Sequence, residues 1–183
     1  MTRFTLLAPV LGLLACGPRP PGTQSNQTYF WKVLSSDLVY GTCADDPGFR
    51  MGLAPLKFEA NSYLIYKASK DNKTAVTQTC DRLDPATCMP STSKVVFTIG
   101  GTELAFSSSA KSPVGLDGCQ LLDTTTWLLT DKGMTGTLEI THVLSLVDNP
   151  TACDAADKQI KSQSPNMLGL EGCVVTFKVG LGQ

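Results

Sequence analysis

The chain has 183 residues, of which 42% are hydrophobic and 17% are charged, and its formal net charge is −1. A chain of this length suits a single domain with ample surface to bury. Because binding to a phosphate backbone requires a basic face, the near-neutral charge excludes a nucleic-acid-binding function.

The amino-terminal residues have the pattern of an export signal. One positive charge, Arg3, precedes an apolar run from Phe4 to Ala15 that is interrupted by Pro9. A membrane-spanning helix needs about 18 apolar residues or more, so this run is too short to cross a bilayer. We therefore expect residues 1–15 to be a signal peptide that is removed on export.

The end of this segment, Leu13-Leu14-Ala15-Cys16, resembles the lipobox of bacterial lipoproteins. In that family the cysteine sulfur receives a diacylglycerol, the signal is cut before the cysteine, and the new amino terminus is acylated. An ordinary secretory cut prefers a small residue where Leu13 stands, which favours lipidation over plain secretion. The resemblance therefore implies fatty acyl groups, such as palmitate, on Cys16. Gly17 replaces the aspartate that marks inner-membrane retention, which implies the outer membrane.

Residues 16–28 are mainly Pro, Gly and small polar types, which cannot bury a core. We predict a flexible, solvated tether there, followed by one domain over residues 29–183. Cleavage before Cys16 removes one of the 15 basic residues and leaves 14 against 16 acidic residues, a net charge of about −2.

Six cysteines remain when Cys16 is set aside, and an exported protein meets an oxidising compartment. We therefore expect three disulfides, with local pairs favoured although six cysteines allow 15 connectivities. The expected pairs are Cys80–Cys88, Cys153–Cys173 and Cys43–Cys119. A zinc site is not expected, because no pair has CxxC spacing and the chain has a single histidine.

Alternation of apolar and polar residues, which is typical of half-buried strands, dominates the chain from residue 29 onwards. The predicted strands cover residues 29–40, 56–68, 74–80, 94–99, 102–107, 119–130, 135–147 and 175–181. The aromatic cluster at 29–31 is interpreted as core. In the segment 56–68, the even-numbered apolar residues from Leu56 to Ala68 share one face.

The clearest hairpin is the segment 94–107. A two-residue turn at Gly100 and Gly101 places Phe97 opposite Leu104, so that the apolar residues of both strands meet on one face.

Residues 152–163, ACDAADKQIKSQ, interrupt the alternation and predict a short helix capped near Asp154. The expected fold is all-β, with about eight antiparallel strands and one helix before the last strand. This architecture resembles the lipocalin type of up-and-down β-barrel. Trp31 lies near the first strand, as in the lipocalin signature, whereas Tyr29 stands where that signature has glycine. A two-sheet sandwich uses the same strands and is the alternative.

The histidine, His142, has the same strand parity as Leu138, Ile140 and Leu144, so we expect it to face the core. A four-residue turn at 131–134 would pair the strand 119–130 with the strand 135–147, and this register places Asp123 directly opposite His142. We interpret the two residues as a structural pair, and the polar end of a ligand pocket is the alternative.

The sequence contains no GxSxG motif, no nucleotide-binding glycine loop and no HExxH motif. Its carboxylate clusters lack the alternating spacing of a calcium loop and are interpreted as solvated charges. These clusters comprise Asp45 with Asp46, and Asp148, Asp154 and Asp157. We therefore expect a protein that is not an enzyme and has no cofactor and no metal.

Two functions of different classes agree with these features. The first is a subunit or scaffold of an outer-membrane-associated assembly, tethered by lipid and docking onto an envelope protein through a sheet edge or an exposed patch. The alternative is a lipoprotein that binds a small apolar or amphipathic ligand within the barrel. The lack of catalytic signatures favours the assembly subunit, and the fold alone does not separate the two.

Overall fold

The computed structural model describes residues 21–39, 41, 58–114, 118–163 and 173–183. Within these residues a single α-helix, α1 (Pro150–Gln163), lies between the last two strands, and one 3-10 turn covers Pro85–Thr87. The strands are β1 (Thr28–Val39), β2 (Tyr63–Ala68), β3 (Thr74–Cys80), β4 (Cys88–Pro90), β5 (Val96–Gly100), β6 (Glu103–Pro113), β7 (Cys119–Asp131), β8 (Thr135–Asp148) and β9 (Cys173–Gly182).

Eight of the strands form a closed antiparallel barrel. They follow the order β1-β2-β3-β5-β6-β7-β8-β9, and the barrel closes because β9 pairs with β1. Strand β4 is a three-residue addition on the edge of β3. The all-β prediction and the predicted helix before the last strand are confirmed, and the arrangement is the barrel rather than the sandwich.

The three largest fully buried side chains, Trp31, Tyr29 and Tyr66, lie toward the end of the barrel that carries the β2–β3, β5–β6 and β7–β8 turns, which we call the closed end. Trp31 is fully buried there, and its Nε1 donates a hydrogen bond to the Tyr66 hydroxyl at 3.1 Å. Tyr29 stacks on Tyr66 with ring centroids 5.1 Å apart. A Cβ atom at Gly136 would lie 3.2 Å from the Trp31 ring, so the indole occupies the space that a side chain would need. The aromatic cluster at 29–31 therefore contributes core residues, as predicted.

Residues 21–27 pack against the closed end. The backbone N–H of Asn26 donates to the Ser69 carbonyl at 3.0 Å, and the side-chain Nδ2 of Asn72 donates to the Thr23 carbonyl at 3.0 Å. Gly22 is buried. The predicted flexible tether therefore does not extend over these residues, because their polar backbone groups pair with the β2–β3 turn. The predicted signal peptide and residues 16–20 lie outside the described residues.

Two predicted hairpin registers are wrong by two residues. The β5–β6 turn is formed by Gly101 and Thr102, and the β7–β8 turn by Gly133 and Met134. Each glycine takes the first turn position with a positive φ, +63° and +92° respectively, which glycine adopts without steric cost. Because the displacement is an even number of residues, the predicted division into inward and outward faces is kept.

Strand β2 begins at Tyr63, later than the predicted segment 56–68. Asn61 has a φ of +67°, which breaks the extended backbone before the strand. Leu64, Tyr66 and Ala68 are buried on one face as predicted, whereas Leu56 lies outside the described residues.

The disulfide between Cys80 and Cys88, which was predicted, joins β3 to β4. A second disulfide joins Cys119 to Cys153, with Cα atoms 5.0 Å apart. The predicted pairings Cys43–Cys119 and Cys153–Cys173 are therefore wrong. Cys173 is also disulfide-bonded, and Cys43 lies outside the described residues.

The position of α1 explains the second disulfide. The Asn149 backbone N–H donates to the Gly118 carbonyl at 2.9 Å, and Pro150 then begins the helix, so its first turn reaches the start of β7. The Asn149 side chain caps α1, because its Oδ1 accepts hydrogen bonds from the backbone N–H groups of Thr151 and Ala152, at 3.0 and 3.2 Å. The predicted cap near Asp154 is therefore wrong. None of the described helical segments is long and apolar enough to span a membrane.

Candidate functional site

The end of the barrel opposite the closed end carries the end of β6, the start of β7 and α1, and we call the inward-facing surface there the mouth. Several of its side chains are less buried than the core at the closed end: Ser108 and Ala110 are exposed, and Phe106 and Trp127 are half-buried. The mouth comprises Phe106, Ser108, Ala110, Leu121, Asp123, Thr125, Trp127, His142 and Leu144.

Three polar residues of β7 and β8 meet inside the mouth. His142 Nδ1 lies 3.0 and 3.1 Å from the two carboxylate oxygens of Asp123, and 3.2 Å from the Thr125 hydroxyl. Thr125 is the direct cross-strand neighbour of His142, whereas Asp123 pairs with Leu144 and reaches the imidazole diagonally. The predicted contact between Asp123 and His142 is therefore confirmed, and their predicted position directly opposite each other is wrong.

The two charged or titratable residues of this polar cluster differ in burial. The His142 side chain is 10% exposed, whereas that of Asp123 is 34% exposed. The Phe177 ring packs edge-on to the imidazole, with ring centroids 6.1 Å apart. A neutral ring that donates Nδ1–H to the carboxylate presents Nε2 as a hydrogen-bond acceptor. Nε2 has no hydrogen-bond partner among the described residues.

Aromatic rings separate the polar cluster from the packed core. Trp127 contacts Phe106 edge-to-face, with ring centroids 6.3 Å apart, and contacts Phe58 at 5.9 Å. Phe97 lies behind both rings and is fully buried. The mouth therefore combines hydrogen-bonding groups on β7 and β8 with an apolar aromatic wall.

The other candidate sites do not join this cluster. Asp148 pairs with Lys111 at 2.7 Å, and Asp157 pairs with Lys161 at 2.5 Å, while Asp154 is exposed on α1. Over the residues that the structure describes, no group of three His, Cys, Asp or Glu side chains could hold a metal ion. Cys16, Asp45 and Asp46 lie outside those residues.

Sequence reasoning identified Asp123 and His142 but missed Thr125. The sequence does indicate that Thr125 faces the mouth, because it has the same strand parity as Asp123 and therefore lies on the same face of β7. It was missed because the register error placed another residue opposite His142.

Comparison with protein-family models, with curated proteins and with solved structures finds no match to this chain. The protein is an eight-stranded, closed antiparallel β-barrel with one helix, an arrangement that is consistent with a lipocalin-like architecture.

Proposed function

We propose that the mouth binds a small amphipathic molecule and that acyl groups on Cys16 hold the barrel at the outer membrane. The observation that supports binding is the contrast between the two ends of the barrel. At the closed end Trp31 and Tyr66 are fully buried, whereas at the mouth Asp123, Ser108 and Ala110 retain exposed surface. Eight-stranded barrels hold one small ligand where their own side chains leave the interior unfilled, and the exposed residues of the mouth make it the candidate for such a place.

The chemistry of the mouth selects the polar group of this ligand. The accessible carboxylate of Asp123 accepts hydrogen bonds, and its negative charge repels an anionic group. An amine or hydroxyl group therefore fits the polar cluster better than a carboxylate does. The apolar part of the ligand would cover Trp127 and Phe106, whose half-buried rings are amphipathic or apolar surfaces of the kind that line ligand sites.

A fluorescence titration tests ligand binding. We use N-phenyl-1-naphthylamine, which brightens in apolar surroundings, and displace it with dodecylamine, dodecanol or dodecanoate. We expect saturable dye binding and tighter displacement by the amine and the alcohol than by the carboxylate. Asp123→Asn should weaken displacement by dodecylamine about 10-fold, as expected for loss of a hydrogen bond to a charged group.

A matched control is available on the outer face of the same sheet. Glu139 lies on β8, where it pairs with Lys178 at 3.5 Å in solvent. Glu139→Gln removes the same charge as Asp123→Asn and should leave binding unchanged. Equal loss in both variants, or no saturable dye binding by the wild-type protein, would contradict a site in the mouth.

The anchor is tested separately. Mass spectrometry of the mature protein should show an amino-terminal Cys16 that carries acyl groups. An unmodified Cys16, or a cut elsewhere, would refute the anchor without bearing on the mouth.

A role in an envelope assembly is the second candidate, and one observation favours it. In the described part of the chain, β6 pairs with β5 only through residue 105, so residues 106–113 have no neighbouring strand on the side away from β7. Such an edge accepts a strand from another protein, although Lys111 and Pro113 on it limit pairing between copies of this chain. Pull-down from envelope extracts with Ser109→Pro as the comparison tests this role, because the substitution should abolish capture of a partner that pairs with the edge.

A further inference from the structure

A groove on the outer wall of the barrel has a concentration of positive charge. It has a volume of about 290 Å³ and runs along β2, β3 and β4 to the closed end. Three exposed lysines line it, Lys67, Lys70 and Lys94, and none of its described lining residues is a carboxylate. The remaining lining residues are Asn26, Ala68, Ser69, Val76, Gln78 and Pro90.

The three lysines have no carboxylate partner within the described residues. Asp71 is the acidic residue in the adjacent turn, and the hydrogen bonds of that turn hold its carboxylate away from the groove lining. It accepts the Ser69 hydroxyl at 2.6 Å and the Lys73 backbone N–H at 3.2 Å. Within the described part of the chain, the groove therefore presents three ammonium groups that no carboxylate pairs with directly, and these attract an anion.

The groove lies at the end of the barrel where the chain enters. Residues 21–27 are hydrogen-bonded to the β2–β3 turn, and Asn26 itself lines the groove. Five residue steps separate Pro21 from Cys16, and an extended chain spans at most about 18 Å over that distance. A lipid on Cys16 would therefore hold the closed end, together with the lysines, within reach of the bilayer surface.

We infer that the groove formed by Lys67, Lys70 and Lys94 binds the phosphate-bearing headgroups of anionic lipids. This contact orients the barrel with its closed end toward the membrane and its mouth away from it. The orientation rests on the proposed Cys16 anchor, whereas the affinity of the groove for anionic headgroups does not.

The affinity is measured on the chain with Cys16→Ser, which lacks acyl groups, by sedimentation with vesicles at low salt. We compare equimolar phosphatidylcholine and phosphatidylglycerol with phosphatidylcholine alone. A lysine near an anionic surface contributes a factor of about 5 in affinity, so the triple change of these lysines to glutamine should weaken binding about 100-fold. The triple change to arginine should preserve binding, and 0.5 M salt should abolish it.

A triple variant with the same change in charge serves as the control. Lys111, Lys158 and Lys178 are exposed and lie outside the groove, and their change to glutamine should leave vesicle binding nearly intact. Equal losses in the two triple variants, or equal binding to neutral vesicles, would overturn the inference. Competition with inorganic phosphate identifies the remaining alternative: a groove that binds phosphate but not vesicles is a site for a free anion, and the inference is then wrong.

The orientation is measured on acylated protein in the same vesicles by acetylation of lysines and mass spectrometry. In anionic vesicles Lys67, Lys70 and Lys94 should react several-fold more slowly than in neutral vesicles, while Lys158 on α1 should react equally in both. Protection of Lys158 instead of the groove lysines would refute the orientation. A Cys16 without acyl groups would refute both the lipid anchor and the orientation. The affinity of the groove for anionic vesicles, which is measured without acyl groups, would be unaffected.

Discussion

Replacing His142 or Asp123 by leucine should destabilise the barrel to different extents, because the group left behind differs in burial. Asp123→Leu leaves His142, with a 10% exposed side chain, with Thr125 as its remaining polar neighbour. A buried group that loses its partner costs about 1–3 kcal/mol, so we expect a loss of about 2 kcal/mol. His142→Leu leaves the carboxylate of Asp123, whose side chain is 34% exposed and is therefore hydrated, and we expect about 1 kcal/mol.

The assay is urea denaturation at pH 7, with the disulfides intact, on the wild type, both single variants and the double variant. The double-mutant cycle should give a coupling energy of about 1 kcal/mol for the 3.0 Å contact. The same cycle on Glu139 and Lys178, an exposed pair at 3.5 Å, should give about 0.5 kcal/mol or less. Additive effects of the Asp123 and His142 changes, or a larger loss for His142→Leu than for Asp123→Leu, would refute this reasoning.

Three further predictions concern stability and titration. Replacing Cys119 and Cys153 by alanine removes a cross-link between residues 34 positions apart, and the chain-entropy model predicts a loss of about 4 kcal/mol in unfolding free energy, measured by urea denaturation. Peptide mapping without reduction that found Cys119 bonded to another cysteine would contradict the pairing. Asn149→Ala removes the cap of α1 and should cost about 1 kcal/mol in the same assay, whereas no change would show that the cap is dispensable. Hydrogen bonds from the Ser69 hydroxyl and, to a smaller extent, the Lys73 backbone N–H lower the pKa of Asp71 below its ordinary value of 3.8. The ionised carboxylate therefore stabilises the fold fully above pH 3.8, and this contribution is lost as the pH falls through the lower pKa of the folded state. Ser69→Ala should raise the pKa of Asp71 in an NMR titration, and an unchanged pKa would exclude the hydroxyl as its main cause.

The sequence predicted the faces of the strands better than their registers. Apolar alternation in β8 correctly assigned His142 to the interior. The registers depended on which residue takes the first turn position with a positive φ. In the Gly100-Gly101 pair this residue is Gly101, and the sequence does not distinguish the two glycines. Contact between Asp123 and His142 persisted because a displacement of two residues keeps parity, and diagonal neighbours remain within reach of these side chains.

Long-range arrangements were predicted less well because they depend on where elements meet in space. Cys119 bonds Cys153 because α1 follows β8 almost immediately, and linear spacing alone favoured a more local partner for Cys153. The groove lysines were not recognised as a group because Lys67 and Lys94 belong to separate segments that the barrel brings together. Strand number and order predicted either a barrel or a sandwich, and the closure between β1 and β9 that separates the two required the structure.

The most direct test of ligand binding in the mouth is capture of the tagged, acylated protein from its own envelope, followed by analysis of small molecules in the eluate. Ala110→Trp is the comparison, because Ala110 pairs with Asp123 on the inward face and an indole there would fill the mouth. We predict that one amphipathic amine or alcohol elutes with the wild-type protein in a near-stoichiometric amount and is absent from the Ala110→Trp eluate. An eluate that contains a stoichiometric protein partner and no such molecule, with the same result for both forms, would contradict the proposed function.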